Sequence, residues 1–99
     1  MKLPRDLFLG FVKLHILYHA GREDVYGLWL IEELAQHDYR LSPGTLYPIL
    51  HGLEEEKLLV SDVRVVEGKA RKYYRLTRTG RNALEEGKNK AQELLGELQ

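Results

Sequence analysis

The sequence predicts a mainly α-helical domain carrying one small β-hairpin, and three observations predict it. Three segments of helical periodicity occupy the first sixty residues, a basic stretch alternates with period two, and apolar residues recur every seven positions near the end. Ninety-nine residues hold one core. A chain of this size buries only about 60–65% of its unfolded surface, so association with a partner is a common remedy. Hydrophobic residues make up 43% and charged residues 30%, the mixture of a folded chain rather than a disordered one. The absence of cysteine excludes disulfides, thiol nucleophiles and cysteine-based zinc sites together. Apolar runs of only a few residues exclude a membrane-spanning helix, and no apolar stretch with a cleavage site marks a secretory signal. The expected location is the cytoplasm.

The first helix is expected from about Arg5 to His19, with Gly21 as its stop. Leu7, Phe8, Leu9, Phe11, Val12, Leu14, Ile16, Leu17 and Tyr18 cover most of its circumference. A surface helix needs one apolar stripe, so two apolar faces imply burial on two sides. A partner subunit is the economical cover. The second helix is expected from about Val25 to His37, with Asp24 as N-cap and Gly27, Leu30, Ile31, Leu34 and Ala35 on one face. Trp29 falls on the opposite face with Glu32, Glu33 and Gln36, where a partly exposed tryptophan lying on a neighbouring loop is favoured over a ligand contact.

The third helix opens at Ser42-Pro43, an N-cap followed by proline at the first helical position. Leu46, Ile49, Leu50 and Leu53 share a face, with Leu58 and Leu59 closing the segment. Pro48 lacks the N–H that would bond back to Gly44, so propensity alone would break the helix there. The period then changes to two. Val63 and Val65 alternate, Glu67-Gly68-Lys69-Ala70 turns, and Arg71 to Thr77 returns with Tyr74 and Leu76 on one face and Arg71, Tyr73 and Arg75 on the other. Thr77 caps a last helix from about Arg78 to Leu98, in which Leu84, Ala91 and Leu98 repeat every seven residues beside Leu94 and Leu95. Gly87 and Gly96 weaken that stripe.

Net charge is zero, with an uneven distribution. Residues 1–60 carry six basic and nine acidic side chains, residues 61–81 seven and two, and residues 82–99 two and four. A local field steers a polyanion to a surface, although a basic hairpin also guards its own edge against aggregation. Charge alone leaves both readings open.

Helix, helix, helix, basic hairpin, helix is the order of a winged helix-turn-helix with an added C-terminal helix. Tyr26-Gly27, Gly44-Thr45-Leu46-Tyr47-Pro48 with Leu50 and Leu53, and Gly68 followed by Arg71-Lys72-Tyr73-Tyr74-Arg75-Leu76-Thr77 and Gly80 together resemble the PadR family of transcriptional regulators. The resemblance implies a homodimer, usually a repressor, bound to an inverted-repeat operator in double-stranded DNA. It implies a third helix in the major groove, a wing on the backbone, and a dimer built by the first and last helices. It also places a proline within the recognition helix as a rule. One departure is Lys57, where relatives often have glycine; it costs little if the helix ends before a positive φ is required. Residues 1–81 then form the DNA-binding unit, and residues 82–99 a dimerisation helix within the same compact body.

The expected DNA contacts are Ser42, Thr45, Tyr47 and His51 on the third helix and Lys69, Arg71 and Lys72 at the wing tip. His51 reads equally as an exposed or core-edge histidine. Arg75, further down the strand, is expected to pair with a glutamate, and Tyr73 and Tyr74 to pack. The expected dimer contacts are Leu7, Phe8, Phe11, Leu84, Ala91, Leu94, Leu95 and Leu98. His15 and His19 stand i, i+4, a metal-binding spacing, but no third ligand motif accompanies them, so packing is favoured. No metal and no cofactor is expected. Glu54-Glu55-Glu56 reads as a solvated face, and no phosphate loop or nucleophile elbow appears, which argues against an enzyme. Some PadR relatives hold planar aromatic compounds in an apolar dimer pore, but no residue pattern here establishes an effector. The alternative function is a winged-helix protein-interaction module without DNA binding.

Overall fold

A computed structural model describes residues 3–99, so Met1 and Lys2 of the expected DNA-binding unit lie outside the described residues. The order is α1 (Arg5–Arg22), β1 (Val25–Tyr26), α2 (Gly27–Gln36), α3 (Pro43–Glu55), β2 (Leu59–Val66), β3 (Lys69–Leu76) and α4 (Arg78–Leu98). The fold is a winged helix with a long C-terminal helix, as the periodicities predict.

The core lies where α1, α2 and α3 meet the base of the hairpin. Val12, Ile16, Leu30, Leu34, Leu46 and Leu50 are fully buried there, with Val25, Leu59, Tyr74 and Leu76 closing one side. Leu46, Leu50 and Leu53 form the inward stripe of α3, as their spacing predicts. Pro48 is tolerated within that helix. It and Gly44 are both exposed, so water can satisfy the carbonyl that the ring leaves unbonded.

Two boundaries before α2 differ from the sequence reading. Gly21 is inside α1, which runs on to Arg22, and a Cβ at Gly21 would come within 2.8 Å of Leu76. This glycine serves a close approach between helix and strand rather than a stop. Val25 and Tyr26 form a strand instead of opening α2, pairing antiparallel with Tyr74 and Tyr73. The sheet order is therefore β1-β3-β2. Asp24 caps nothing; its carboxylate takes a hydrogen bond from Arg64 of β2 and ties the wing to the α1–β1 connection.

Both α2 and α3 end in the same six-residue pattern. Tyr39 N–H bonds the Leu34 carbonyl and Asp38 N–H that of Ala35; Leu58 N–H bonds Leu53 and Lys57 N–H bonds Glu54. These are Schellman ends, in which the residue after the cap takes left-handed backbone. Asp38 has φ +67° and Lys57 φ +65°. Lys57 thus stands where a positive φ is required, so the condition under which it would cost little is not met. Leu58 begins the link to β2 and Leu59 is already strand, so neither belongs to the helix.

The turn is tighter than expected. Glu67 and Gly68 alone connect β2 to β3, both with positive φ, the twist that a two-residue hairpin favours. Lys69 and Ala70 pair with Val66 and Val65 as strand residues.

Thr77 caps α4 as its position predicts. Its hydroxyl accepts from Gly80 N–H at 2.9 Å and donates to the Lys57 carbonyl at 2.7 Å. Gly80 is buried with the Leu58 carbonyl where a Cβ would stand, so α4 starts directly on the α3–β2 connection. Further along, Leu14 of α1 packs into the gap left by Gly87. Beyond Gly87, residues 88–99 are exposed, and the chain extends 50 Å along its long axis.

Candidate nucleic-acid interface

The N-terminus of α3 is exposed and polar. Ser42 Oγ accepts from Thr45 N–H at 3.3 Å, its carbonyl accepts from Thr45 and Leu46 N–H, and Pro43 has no N–H, so Gly44 carries the first-turn donor with no partner among the described residues. The Ser42 and Thr45 hydroxyls lie 3.3 Å apart at this end. Tyr47 is exposed on the next turn, and its phenol lies over Gly27, where any Cβ would collide with it. The Tyr26-Gly27 and Gly44–Pro48 segments therefore meet in space. The glycine at the start of α2 gives the α3 tyrosine its place.

Tyr47 also faces the wing. Tyr26, Gly27, Leu28, Tyr47, Ala70, Arg71 and Lys72 line one groove between α2, α3 and β3. The Arg71 guanidinium lies 4.4 Å from the centre of the Tyr26 ring, a cation–π contact that holds it at the groove wall. Tyr73 packs edge-on to Tyr26 at 5.3 Å, and Tyr74 is buried in the core, so both tyrosines are packing residues as expected.

The wing cations divide into engaged and free. Arg64 is bound by Asp24 and Asp62 and lies 4.5 Å over Tyr73; those contacts hold its pKa above the ordinary guanidinium value, led by the Asp24 hydrogen bond. Lys72 has Glu54 of α3 at 3.9 Å. Lys69, beside the turn, is exposed and makes no ion pair among the described residues. Arg75 likewise has no glutamate partner among the described residues; Arg64 and Lys72 hold the carboxylates instead. His51 is exposed one turn beyond Tyr47, with Glu55 at 3.8 Å. Seven side chains named from sequence thus lie on the α3 start and the wing, with Arg71 and Lys72 partly committed to intramolecular contacts. Tyr26 and Arg64 were missed, because their roles arise from tertiary pairing alone.

Residues 16–86 match the transcriptional regulator PadR-like family. The chain belongs to this family of transcriptional regulators. It is 55% identical over 94 residues to the transcriptional regulator Rv3488 of Mycobacterium tuberculosis, covering 95% of this chain and 88% of that one. The PadR family regulator of Eggerthella lenta is 33% identical, with a TM-score of 0.82 over 94% of this chain and 82% of that one. A PadR-like regulator of Bacillus cereus is 32% identical, with a TM-score of 0.85 over 94% and 92%. These relatives are regulators rather than enzymes, and the two solved structures share the fold of this chain. No helix among the described residues is long and apolar enough to cross a membrane.

The expected dimer residues divide in the same way as the wing cations. Leu7, Phe11, Leu94, Leu95 and Leu98 are exposed, at 47–74% of their full area. Ala91 is exposed as well. Phe8 packs edge-on to Tyr39 at 5.4 Å and Leu84 packs against the core, so both spend surface within their own chain.

Proposed function

We propose that this PadR-family chain is a homodimeric repressor of transcription that reads an inverted-repeat operator from the cytoplasm. The observation that carries the reading is the groove in which Tyr47 of α3 faces Arg71 and Lys72 of β3. It puts a polar helix start and a basic strand on one side of the molecule, the arrangement a duplex needs when a helix enters its major groove and a wing follows its backbone. Ser42, Thr45, Tyr47 and His51 are the reading positions; Lys69, Arg71 and Lys72 are the phosphate positions. The exposed apolar residues of α1 and α4 support a second copy as cover, since a monomer leaving them in water gains nothing from them.

Operator geometry tests the reading. Two recognition helices related by a two-fold axis require half-sites centred one helical turn, about 10 base pairs, or a multiple of it apart. Gel shifts on fragments flanking its own gene locate the site. A spacing series at one fixed salt concentration then measures its symmetry. Inserting about five base pairs should reduce affinity toward that of a single half-site, and about ten should restore part of it. Equal affinity at every spacing, or no shift at all, would leave the protein-interaction module as the better reading.

A further inference from the structure

We propose that His15, His19 and His37, with Glu33 behind them, form a binding site for one divalent transition-metal ion per chain. One donor nitrogen from each of the three imidazoles lies within 4.8 Å of the others. His15 and His19 project from α1 one turn apart, and their rings are 6.2 Å centre to centre. His37 is the C-cap of α2, and the Schellman hydrogen bonds of Asp38 and Tyr39 fix the backbone that brings its ring to 4.9 Å from that of His15. The spacing in sequence exposes two of these ligands and conceals the third.

Two observations separate a ligand cluster from ordinary packing. His19 Nε2 is buried without a hydrogen-bond partner among the described residues, an uncommon state for a buried polar atom. Its nearest carboxylate oxygen, Glu33 Oε2, is 3.8 Å away, too far for a hydrogen bond. That same oxygen lies 3.5 Å from His37 Nε2. One carboxylate oxygen therefore addresses two of the three rings, the place of a fourth ligand or of an outer partner that orients imidazoles.

The donor chemistry is consistent with the geometry. Neutral imidazole is the form that ligates a metal. Imidazole with carboxylate and no thiolate suits zinc, nickel, copper or iron rather than magnesium or calcium. Tetrahedral zinc, with bonds near 2.0–2.1 Å, sets its donors about 3.3 Å apart. From separations of up to 4.8 Å the donors would draw together by up to about 1.5 Å around such an ion, and the half-exposed His37 side chain leaves room for that adjustment. The ion would join α1, which carries the apolar face, to the end of α2, which leads into α3. The site stands whether or not DNA is the partner.

The chain's single tryptophan reports on it, because Trp29 packs edge-on to His19 at 5.5 Å. The test uses the purified full chain, stripped with a chelator, titrated with nickel chloride while Trp29 fluorescence is followed, then with zinc chloride against a chromophoric chelator. One nickel ion per chain should quench Trp29 to saturation, and zinc should displace it. Glu33→Gln should weaken binding about 10–100-fold; His15→Gln and His37→Gln should weaken it further, and His51→Gln should leave it unchanged. Circular dichroism verifies the fold of each variant, and the exposed His37 keeps one informative substitution even if His15→Gln unfolds. Wild type and His37→Gln binding alike, or wild type retaining no ion at micromolar concentration, would overturn the proposal.

Discussion

Lys57 shows how a single backbone angle is set by what surrounds it. Left-handed backbone costs a residue with a Cβ about 1–2 kcal/mol, and glycine avoids that at some entropic expense. The α3 end nevertheless keeps its lysine, because Leu58 N–H must reach the Leu53 carbonyl for Leu58 to pack on the core. The Thr77 hydroxyl then bonds the Lys57 carbonyl and holds the turn from the other side. Lys57→Gly should therefore stabilise the protein by about 0.5–1 kcal/mol, a few degrees in melting temperature. Urea denaturation measures it. A loss of stability would mean that the lysine side chain contributes more than the angle costs.

In the proposed reading, α3 and the wing divide their work by charge and by exposure. A phosphate contact contributes to affinity on every sequence, whereas a groove contact contributes on particular base pairs. Lys69→Ala should weaken binding on specific and non-specific DNA alike and lower the salt slope by about one. Lys72→Ala should do less, since Glu54 already holds part of that charge. Thr45→Val or Tyr47→Phe should instead cost about 1–3 kcal/mol on the preferred operator and little on random DNA. Binding isotherms on both DNAs across a salt series distinguish the two classes. A wing change that altered sequence preference and left the salt slope untouched would reverse these assignments. The wing itself hangs on tertiary contacts. Asp24 secures Arg64, and Tyr26 stacks under Arg71, so the two-residue strand β1 aims the basic hairpin at the α3 side.

Helices α1 and α4 cross at Gly87, then α4 continues past the domain with Leu94, Leu95 and Leu98 in solvent. In the proposed dimer, apolar side chains at that exposure, on a chain whose core is small, would link fold and assembly. Replacing Leu94 and Leu98 together by glutamate should lower both the mass seen by light scattering and the melting temperature. The wild-type melting temperature should rise with protein concentration, while that of the variant should not. A wild type monomeric at micromolar concentration would remove the dimer from the proposed function, and the spacing requirement with it.

Periodicity, caps and composition by themselves determined three helices, a basic hairpin and a last helix begun by Thr77. They also determined which faces of those helices are apolar, because amphipathic spacing and capping are local properties. The inward stripe of α3 and the core face of Tyr74 and Leu76 follow directly from that spacing. The family was legible for the same reason, and the structure supplies its physics: Gly27 admits Tyr47, and Gly80 admits the Leu58 carbonyl. What remained illegible depends on residues distant in the chain. A two-residue strand has no period to detect, and Val25 and Tyr26 become a strand only by pairing with Tyr74 and Tyr73. Gly21 resembles a stop until Leu76 is seen against it. The imidazole of His37 reaches His15 and His19 only after α2 has folded back along α1 and ended in left-handed backbone at Asp38. Helical spacing placed two histidines on one face; only the packing of two helices brought the third beside them.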